Sequence, residues 1–497
     1  MRPAKLCAIL WLLIALLACV CAVVPEGGWQ IGAYHLRWPT LSEALDLQQT
    51  DTLSACDTTW IAEAVTIETD IDENEAPAPV VVSPVKPGIA APAIEHADTA
   101  NMDTRLYLHA FYEALPQANR RQVRVIHYGD SQIEEDRITK ELRERLQQTY
   151  GGGGVGLIPL HQTIPTRSLH QSLEMNGNFQ TPQGGPQRYI VYGPKSMRLS
   201  TGDYGVMGQV AAMNDSLRAG SETLRLLTEP MEQGHTYNYF NRVRLLSSSG
   251  ISATVRPLRG GTTVDFNDGI ATLPDSTTRC EIHLHGQGMV YGLSLETPTG
   301  VIVDNIPMRG SSGTVFTQIQ RNQLTDFYQA ANTRLIILQY GGNMIPQTEN
   351  RSTIAGYVQS LRRQVEYVRR CAPDAAILFI GPSDMSKRVD GEMVTNPLIP
   401  YMDRLLARMA QDEHIGYWSI YQAMGGYNSM LAWQKRGLAG RDYIHFTRRG
   451  AEHIGQMLAD WLLDIPDFPV VATADSLPPA PADTITTIEA TEEEAEP

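Results

Sequence analysis

Residues 123–131 have the sequence VRVIHYGDS, in which a run of β-strand character ends at Gly129 and leads into Ser131. The run alternates apolar and polar residues at first, which is typical of a strand that enters a turn. After Ser131 the apolar residues fall largely on one face of a predicted helix: Ile133, Ile138, Leu142 and Leu146. A serine at such a turn lies at the carboxyl end of a sheet, a favoured place for sites in α/β proteins. The helix dipole and the free N–H groups there would favour an oxyanion.

A second short motif lies far along the chain, where Asp442 precedes His445. A serine hydroxyl is a poor nucleophile until a base takes its proton, and a histidine is an effective base when a carboxylate holds its ring. We therefore expect Ser131 and His445 to meet in space and to break or transfer an acyl group. Thr447, two residues after His445, is predicted to be the N-cap of a C-terminal helix.

Two further segments offer hydrogen-bond donors to the same site. The sequence RLIILQY at 334–340 predicts a buried strand, and it ends in Gly341-Gly342-Asn343. An asparagine amide at a strand end can donate to an oxyanion, and the glycines allow the tight turn that presents it. A predicted strand at 301–305 leads into a loop that contains Gly310 and Gly313, and a glycine there could offer a backbone N–H.

In this order the motifs resemble the SGNH (GDSL-type) hydrolase family, whose four blocks match Gly129-Asp130-Ser131, Gly310, Gly341-Gly342-Asn343 and Asp442-x-x-His445. The resemblance implies that Ser131 is the nucleophile, that His445 is general base and then general acid, and that Asp442 orients His445. It also implies an oxyanion hole formed by the N–H groups of Ser131 and Gly310 and the side chain of Asn343, with Gly313 as a rival to Gly310. The resemblance covers roughly residues 101–160 and 286–465.

One position departs from the family pattern. Gln132 stands where the family usually has Leu after the serine. We expect this difference to matter little, because the position carries no proton in the reaction.

Several other features favour structural roles. The glycine-rich run 151–156 lacks the Gly-Lys-Ser/Thr of a phosphate-binding loop, so we expect a flexible turn after the first helix, in a position to rim the cleft. His127 is predicted to be a packed strand residue rather than a second base. His283 and His285 share one face of a predicted strand, but with no third ligand nearby the sequence predicts no metal site. The predicted chemistry needs no cofactor.

Composition narrows the choice of partners. The chain has 497 residues, room for two or three domains, and a formal net charge of −15, which argues against a nucleic-acid partner. Much of that charge lies in residues 466–497, which contain no Lys or Arg and are rich in proline. This composition predicts an acidic, disordered tail.

Residues 1–24 predict export, because Arg2 and Lys5 precede an uncharged apolar run. The run fits a cleaved secretory signal, an uncleaved membrane anchor or a bacterial lipoprotein signal, and all three place the protein in the periplasm or at the cell surface. The cysteines that follow this segment are odd in number and widely spaced, so a disulfide framework is not the main source of stability: Cys56, Cys280 and Cys371.

The composition and patterning of residues 25–465 predict a tether followed by two domains. Residues 25–100 are mostly non-periodic and proline-rich, which predicts an extended tether. The catalytic domain is predicted in two parts, 101–164 and 289–465. Between them, 165–288 has short β-branched and aromatic runs broken by turn residues, which predict an inserted β-sandwich-like domain. This architecture is similar to that of peptidoglycan O-acetyl esterases of the same family, which carry an inserted carbohydrate-binding β-module.

We predict a three-layer α/β/α sandwich with a mostly parallel, flavodoxin-like sheet, in which Ser131, Gly310 and Asn343 gather at one sheet edge. The predicted elements are strands at 123–128, 300–304, 335–340 and 376–380 and helices such as 353–371 and 400–412.

The predicted function is that of an exported serine esterase that removes O-acyl groups, in particular O-acetyl groups, from a cell-envelope or extracellular polysaccharide such as peptidoglycan. One alternative is an O-acyltransferase, in which a sugar hydroxyl replaces water at the same residues. The other is a non-catalytic carbohydrate-binding envelope protein with a relic site. The membrane is a further partner if the N-terminal segment stays uncleaved or is lipidated.

Overall fold

The structure is a computed structural model that describes residues 103–175, 178–179, 186–213, 223–230 and 237–468, together with two short strands near the N-terminus. The predicted export segment, most of the predicted tether and the tail beyond residue 468 lie outside the described residues. Within the parts that are described, no helix is both long enough and apolar enough to cross a membrane.

In chain order the described strands are β1 (Trp29–Ile31), β2 (Tyr34–Leu36), β3 (Gln122–Gly129), β4 (Gly156–Ile158), β5 (Leu169–Met175), β6 (Asn178–Phe179), β7 (Gln187–Ile190), β8 (Gln209–Met213), β9 (Thr223–Pro230), β10 (Phe240–Ser247), β11 (Ile251–Pro257), β12 (Val264–Asp265), β13 (Ile270–Thr277), β14 (Cys280–Gly286), β15 (Gly288–Glu296), β16 (Gly300–Pro307), β17 (Thr333–Gln339), β18 (Ala376–Gly381), β19 (Ser386–Val389), β20 (Glu392–Thr395) and β21 (Gly416–Ser419). The α-helices are α1 (His109–Ala114), α2 (Thr139–Tyr150), α3 (Arg321–Ala330), α4 (Arg351–Cys371), α5 (Leu398–Asp412), α6 (Ile420–Ala423), α7 (Ser429–Lys435) and α8 (Arg448–Leu463). Strands β1 and β2 form an antiparallel pair within the segment predicted to be a tether.

A five-stranded sheet with the order β16-β3-β17-β18-β21 forms the centre of the α/β part, and each of its strand pairs is parallel. All eight residues of β3 are buried, as expected for a parallel strand covered on both faces. Val123 and Val125 pack in a cluster with α1, α2 and α8 on one face, and Ile126 and Tyr128 pack with α3, α4 and α5 on the other. The predicted parallel α/β sheet is therefore confirmed.

The segment after Ser131 differs from the continuous helix that the sequence predicts. Residues 131–136 form a 3-10 turn in which Glu135 and Asp136 have φ values of 58° and 62°, and the regular helix α2 begins only at Thr139. Arg167 holds this kink through two contacts. Its guanidinium lies 2.9 Å from the Glu135 carboxylate, and its backbone N–H donates to the Glu135 carbonyl. The prediction that a helix dipole acts at Ser131 is therefore wrong, because the regular helix does not begin at that residue.

Two six-stranded antiparallel sheets lie in the sequence between the halves of the α/β part. One has the order β13-β10-β15-β8-β7 with β4 paired to β15, and the other has the order β12-β11-β14-β9-β5-β6. Apolar residues of both sheets share one buried cluster, for example Val243 of β10 and Leu293 of β15 with Val255 of β11 and Ile282 of β14. The antiparallel strands extend from Gly156 to Glu296, beyond the predicted bounds 165–288 on both sides.

A buried ion-pair cluster joins the parallel sheet to the first antiparallel sheet. Arg124 of β3 lies 2.6 Å from Asp304 of β16 and 2.7 Å from Glu296 of β15, and all three side chains are fully buried. Glu296 also accepts a hydrogen bond from Arg242 of β10 at 2.8 Å. Because an unpaired charge would be costly at such depth, these residues fix how β15 lies against β3 and β16.

The glycine-rich run after α2 has a packing role. Gly152 and Gly154 have φ values of 111° and 85°, and a Cβ on either would overlap the backbone of Val301 or Leu295. The Val301 N–H donates to the Gly151 carbonyl at 2.9 Å, at the amino end of β16. Ser131 follows the carboxyl end of the neighbouring β3, which is at the opposite edge of the sheet. The glycine-rich run therefore does not rim the cleft, and the expectation that it would is wrong.

Candidate active site

The carboxyl ends of three neighbouring strands bring the sequence motifs together. In the parallel register, Gly129 at the end of β3 lies opposite Pro307 of β16 and Gln339 of β17. Ser131, the loop that contains Gly310, and Asn343 each follow one of these strand ends within a few residues. The sheet therefore places all three motifs at one edge, as predicted.

Ser131 and His445 lie within hydrogen-bonding distance. Ser131 Oγ is 3.1 Å from His445 Nε2, and His445 Nδ1 is 2.7 Å from Asp442 Oδ2. This orientation leaves Nε2 free to accept the serine proton while Nδ1–H donates to the carboxylate. Such an arrangement can activate a serine for attack on a carbonyl carbon.

The three-residue spacing between Asp442 and His445 follows from a tight turn. Asp442 Oδ1 accepts hydrogen bonds from the N–H groups of Ile444 and His445 at 3.0 and 3.1 Å, while its other oxygen accepts from the imidazole. Tyr443 between them is left-handed, with φ at 56°. Burial would raise the pKa of Asp442, but the hydrogen bond and charge of His445 outweigh it, and the pKa lies below its ordinary value. Asp442 therefore stays ionised beside the histidine.

Thr447 ends this turn and begins the last helix. Its Oγ1 accepts from the N–H of Gly450 at 3.3 Å, which makes it the N-cap of α8. The predicted cap is confirmed, and it fixes the point at which the histidine loop meets the helical layer.

Asn343 lies in a 3-10 turn directly after β17. Gly341, with φ at 132°, allows the chain to turn there. The Asn343 amide donates to Asp130 Oδ2 at 3.2 Å and to the Ser311 carbonyl at 3.0 Å. The side chain is therefore oriented by the serine motif on one side and by the Gly310 loop on the other.

The two candidate glycines of that loop have different surroundings. Gly310 is exposed, with φ at 73° and open space around the position of a Cβ. Gly313 has φ at 78°, its N–H donates to Ser311 Oγ at 3.1 Å, and a Cβ there would overlap the ring of Tyr340. Gly310 is thus the better placed of the two to donate to a ligand, because the N–H of Gly313 is already used.

Sequence reasoning assigned no role in the site to two carboxylates that organise it. Asp130 is 4% exposed and accepts from the N–H of Gln132 at 3.0 Å as well as from Asn343. Burial raises the pKa of Asp130 to about 6, although the Gln132 N–H and the charge of His445 act in the opposite direction. Glu134 is also buried, and it pairs with Arg309 at 2.7 Å beside Gly310. Both residues tie the serine turn to neighbouring loops, and their partners are too distant in sequence to be recognised.

The remaining histidines do not join the site. His127 is fully buried between Gln339 and Thr139, and burial lowers its pKa to about 4, so it is a neutral packed residue as predicted. The rings of His283 and His285 stack 6.5 Å apart on β14, and His283 Nε2 lies 2.7 Å from Glu281. In the part of the chain that the structure describes, no group of three potential ligands is arranged to hold a metal ion.

No protein-family profile matches the sequence, and no curated protein matches it. A solved structure of a peptidoglycan O-acetylesterase is similar to this chain, with a TM-score of 0.56 and 23% sequence identity over 72% of this chain and 95% of the other. That similarity shows the fold.

Two further solved structures match over smaller parts. An acetyl xylan esterase has a TM-score of 0.24 and 13% identity over 33% of this chain and 80% of its own. The periplasmic domain of a Salmonella ser. Paratyphi A lipopolysaccharide acetyltransferase has a TM-score of 0.23 and 14% identity over 33% of this chain and 72% of its own. At such low TM-scores neither adds to the argument.

Proposed function

We propose that this protein is a serine esterase that removes O-acyl groups, in particular O-acetyl groups, from a cell-envelope or extracellular carbohydrate. The observation that carries the proposal is the line of contacts from Ser131 Oγ through His445 to Asp442. A serine, an imidazole and a carboxylate in this order are the parts that acyl transfer through an acyl-enzyme requires.

In the proposed reaction Ser131 Oγ bonds to the ester carbonyl carbon while His445 Nε2 takes the hydroxyl proton. The electron pair of the carbonyl bond moves to oxygen, and Asp442 stabilises the imidazolium through Nδ1–H. The bond between carbon and the sugar oxygen then breaks, and His445 returns its proton to that oxygen. Water repeats the same steps on the acyl-enzyme, which releases the carboxylic acid and restores Ser131.

We propose that the oxyanion is bound by the N–H groups of Ser131 and Gly310 and by the amide of Asn343. Their positions at the ends of adjacent strands support this assignment. Both hydrogens of the Asn343 amide have acceptors in the structure, Asp130 and the Ser311 carbonyl. The oxyanion would therefore take the place of one existing acceptor, and its full negative charge favours that exchange.

The choice of substrate rests on features outside the catalytic residues. The predicted export signal places the protein where acetylated envelope polysaccharides occur. The similar solved structure is that of a peptidoglycan O-acetylesterase. We further propose that the two antiparallel sheets form an inserted sandwich-like domain that binds the carbohydrate.

A side-by-side assay tests this function. Purified protein and its Ser131→Ala variant are incubated with O-acetylated peptidoglycan, acetylated xylan and a small aryl acetate, and acetate release is measured. We expect acetate from the aryl ester and from at least one polysaccharide, and none above background from the variant. Acetylated sugar formed in place of acetate would support the acyltransferase instead, and no turnover of any substrate would support a relic site.

A further inference from the structure

Two side chains of the serine turn extend to the loop that carries His445. The Gln132 amide donates through Nε2 to the Ile444 carbonyl at 2.9 Å. The Arg137 guanidinium donates through Nη1 to the Phe446 carbonyl at 3.5 Å. These two carbonyls lie on either side of His445 in the chain, so the loop is held at both flanks of the histidine.

The same two residues are fixed at their other ends to the serine turn. The N–H of Gln132 donates to Asp130 Oδ1 at 3.0 Å. Arg137 donates through Nε to the Gln132 carbonyl at 3.1 Å and through Nη2 to the Ser131 carbonyl. The Arg137 guanidinium thus contacts the backbone carbonyl of Ser131 and that of Phe446, the residue after His445.

The choice of glutamine at position 132 has a cost that a leucine would not have. Gln132 is 8% exposed, and within the described residues its Oε1 is buried without a hydrogen-bond partner. The orientation of the amide follows from chemistry, because only Nε2 can donate to the Ile444 carbonyl. A buried unsatisfied oxygen is unfavourable, so its presence indicates that the contact to the histidine loop offsets the loss.

The relative position of Ser131 and His445 must be accurate for proton transfer between them. The contact between Ser131 Oγ and His445 Nε2 joins segments separated by most of the α/β part, and the histidine turn contains the left-handed Tyr443. Proton transfer requires the two atoms to stay within hydrogen-bonding reach, and a displacement of about 1 Å can cost on the order of a hundredfold in rate.

We propose that Gln132 and Arg137 are positioning residues that clamp the Ile444–Phe446 backbone to the serine turn and so set the distance between Ser131 and His445. The proposal rests on the proposed function, because it concerns the same serine and histidine. It differs from the expectation that glutamine at position 132 matters little, because a side chain that carries no proton in the reaction would still hold the residue that does.

The test compares Gln132→Leu with a matched control, Gln147→Leu. Gln147 is also buried, and its Nε2 donates to the carbonyls of Gly154 and Val301 at 3.3 and 3.0 Å at the opposite edge of the sheet. Both variants lose buried amide contacts, but only Gln132→Leu releases the histidine loop. Gln132→Met and Arg137→Met are made alongside, so that a folding failure of one variant does not end the experiment.

Three quantities are measured: thermal midpoint, kcat and KM on the aryl acetate, and the rate of labelling by a fluorophosphonate probe. We expect kcat and the labelling rate of Gln132→Leu, Gln132→Met and Arg137→Met to fall about 10- to 100-fold, with KM changed by less than about threefold. Gln147→Leu is expected to lower the thermal midpoint and to keep the wild-type kcat.

The outcomes separate the two proposals. If the wild-type protein neither turns over the ester nor reacts with the probe, the proposed function fails, and the clamp fails with it. If the wild type is active and the folded variants at 132 and 137 keep its kcat and labelling rate, the clamp alone is wrong. An equal loss of kcat in Gln147→Leu would also overturn it, because the effect would then be one of general stability.

Discussion

Asp130 and Asn343 share a hydrogen bond in which Asn343 Nδ2 lies 3.2 Å from Asp130 Oδ2. The second hydrogen bond of the same amide goes to the Ser311 carbonyl at 3.0 Å. The carboxylate beside the nucleophile therefore holds the asparagine proposed as an oxyanion donor. Two motifs that are far apart in the chain form one hydrogen-bonded unit.

Replacing Asn343 tests its proposed role as a donor. We expect Asn343→Ala to lower kcat/KM on an aryl acetate by about a hundredfold or more, because one donor to the oxyanion is lost. The matched control is Asn350→Ala, since Asn350 Oδ1 accepts from the Ser352 N–H at 2.8 Å at the start of α4. That variant should lose only helix-cap stability. Wild-type kcat/KM in Asn343→Ala would exclude the side chain from the oxyanion hole.

The buried carboxyl of Asp130 predicts a pH dependence of stability. Its pKa is about 6 in the folded protein and 3.8 in an unperturbed chain. Between these values the folded state holds more protons than the unfolded state, so the free energy of unfolding decreases as pH rises through this window. The decrease is on the order of 3 kcal/mol for this group.

Asp130→Asn removes that titration. We expect the free energy of unfolding of Asp130→Asn, taken relative to wild type, to increase between pH 4 and pH 6 and to stay level above pH 6. Urea unfolding at four pH values from 4 to 7 measures the difference. A difference that does not change with pH would show that Asp130 ionises normally in the folded protein.

The buried cluster around Arg124 predicts a large loss of stability from a single change. Arg124→Met leaves Asp304 and Glu296 as buried carboxylates without their main partner, so we expect the free energy of unfolding to fall by about 3 to 5 kcal/mol. The exposed pair Arg145–Asp460 provides the control, and Arg145→Met should cost about 1 kcal/mol or less. Equal small losses in the two variants would contradict the structural role of the cluster.

The sequence predicts four of the five parallel strands because apolar residues dominate each of them, and it misses the short β21. The predicted strand at 123–128 is observed as Gln122–Gly129, and the one at 376–380 as Ala376–Gly381. The positions of Ser131, Asn343 and His445 follow from those strand ends and from the turn at Asp442.

The features of the fold that the sequence does not predict depend on contacts between residues that are far apart in the chain. The kink at Glu135 is held by Arg167, and the polar residue Arg124 in a buried strand is explained by its ion pairs with Glu296 and Asp304. Gln132 is a similar case, because its partner is the Ile444 carbonyl in a remote loop. Local periodicity contains no information about such contacts.

All of these proposals depend on Ser131 being a nucleophile that His445 activates within reach of an ester. The most direct measurement is mass spectrometry of the protein after reaction with a fluorophosphonate probe, with Ser131→Ala and His445→Gln as comparisons. We predict one adduct, on Ser131, which is absent in Ser131→Ala and forms far more slowly in His445→Gln, while both variants keep the wild-type thermal midpoint within a few degrees. An unmodified Ser131 in wild-type protein, or equal labelling of the folded Ser131→Ala variant, would contradict the claim.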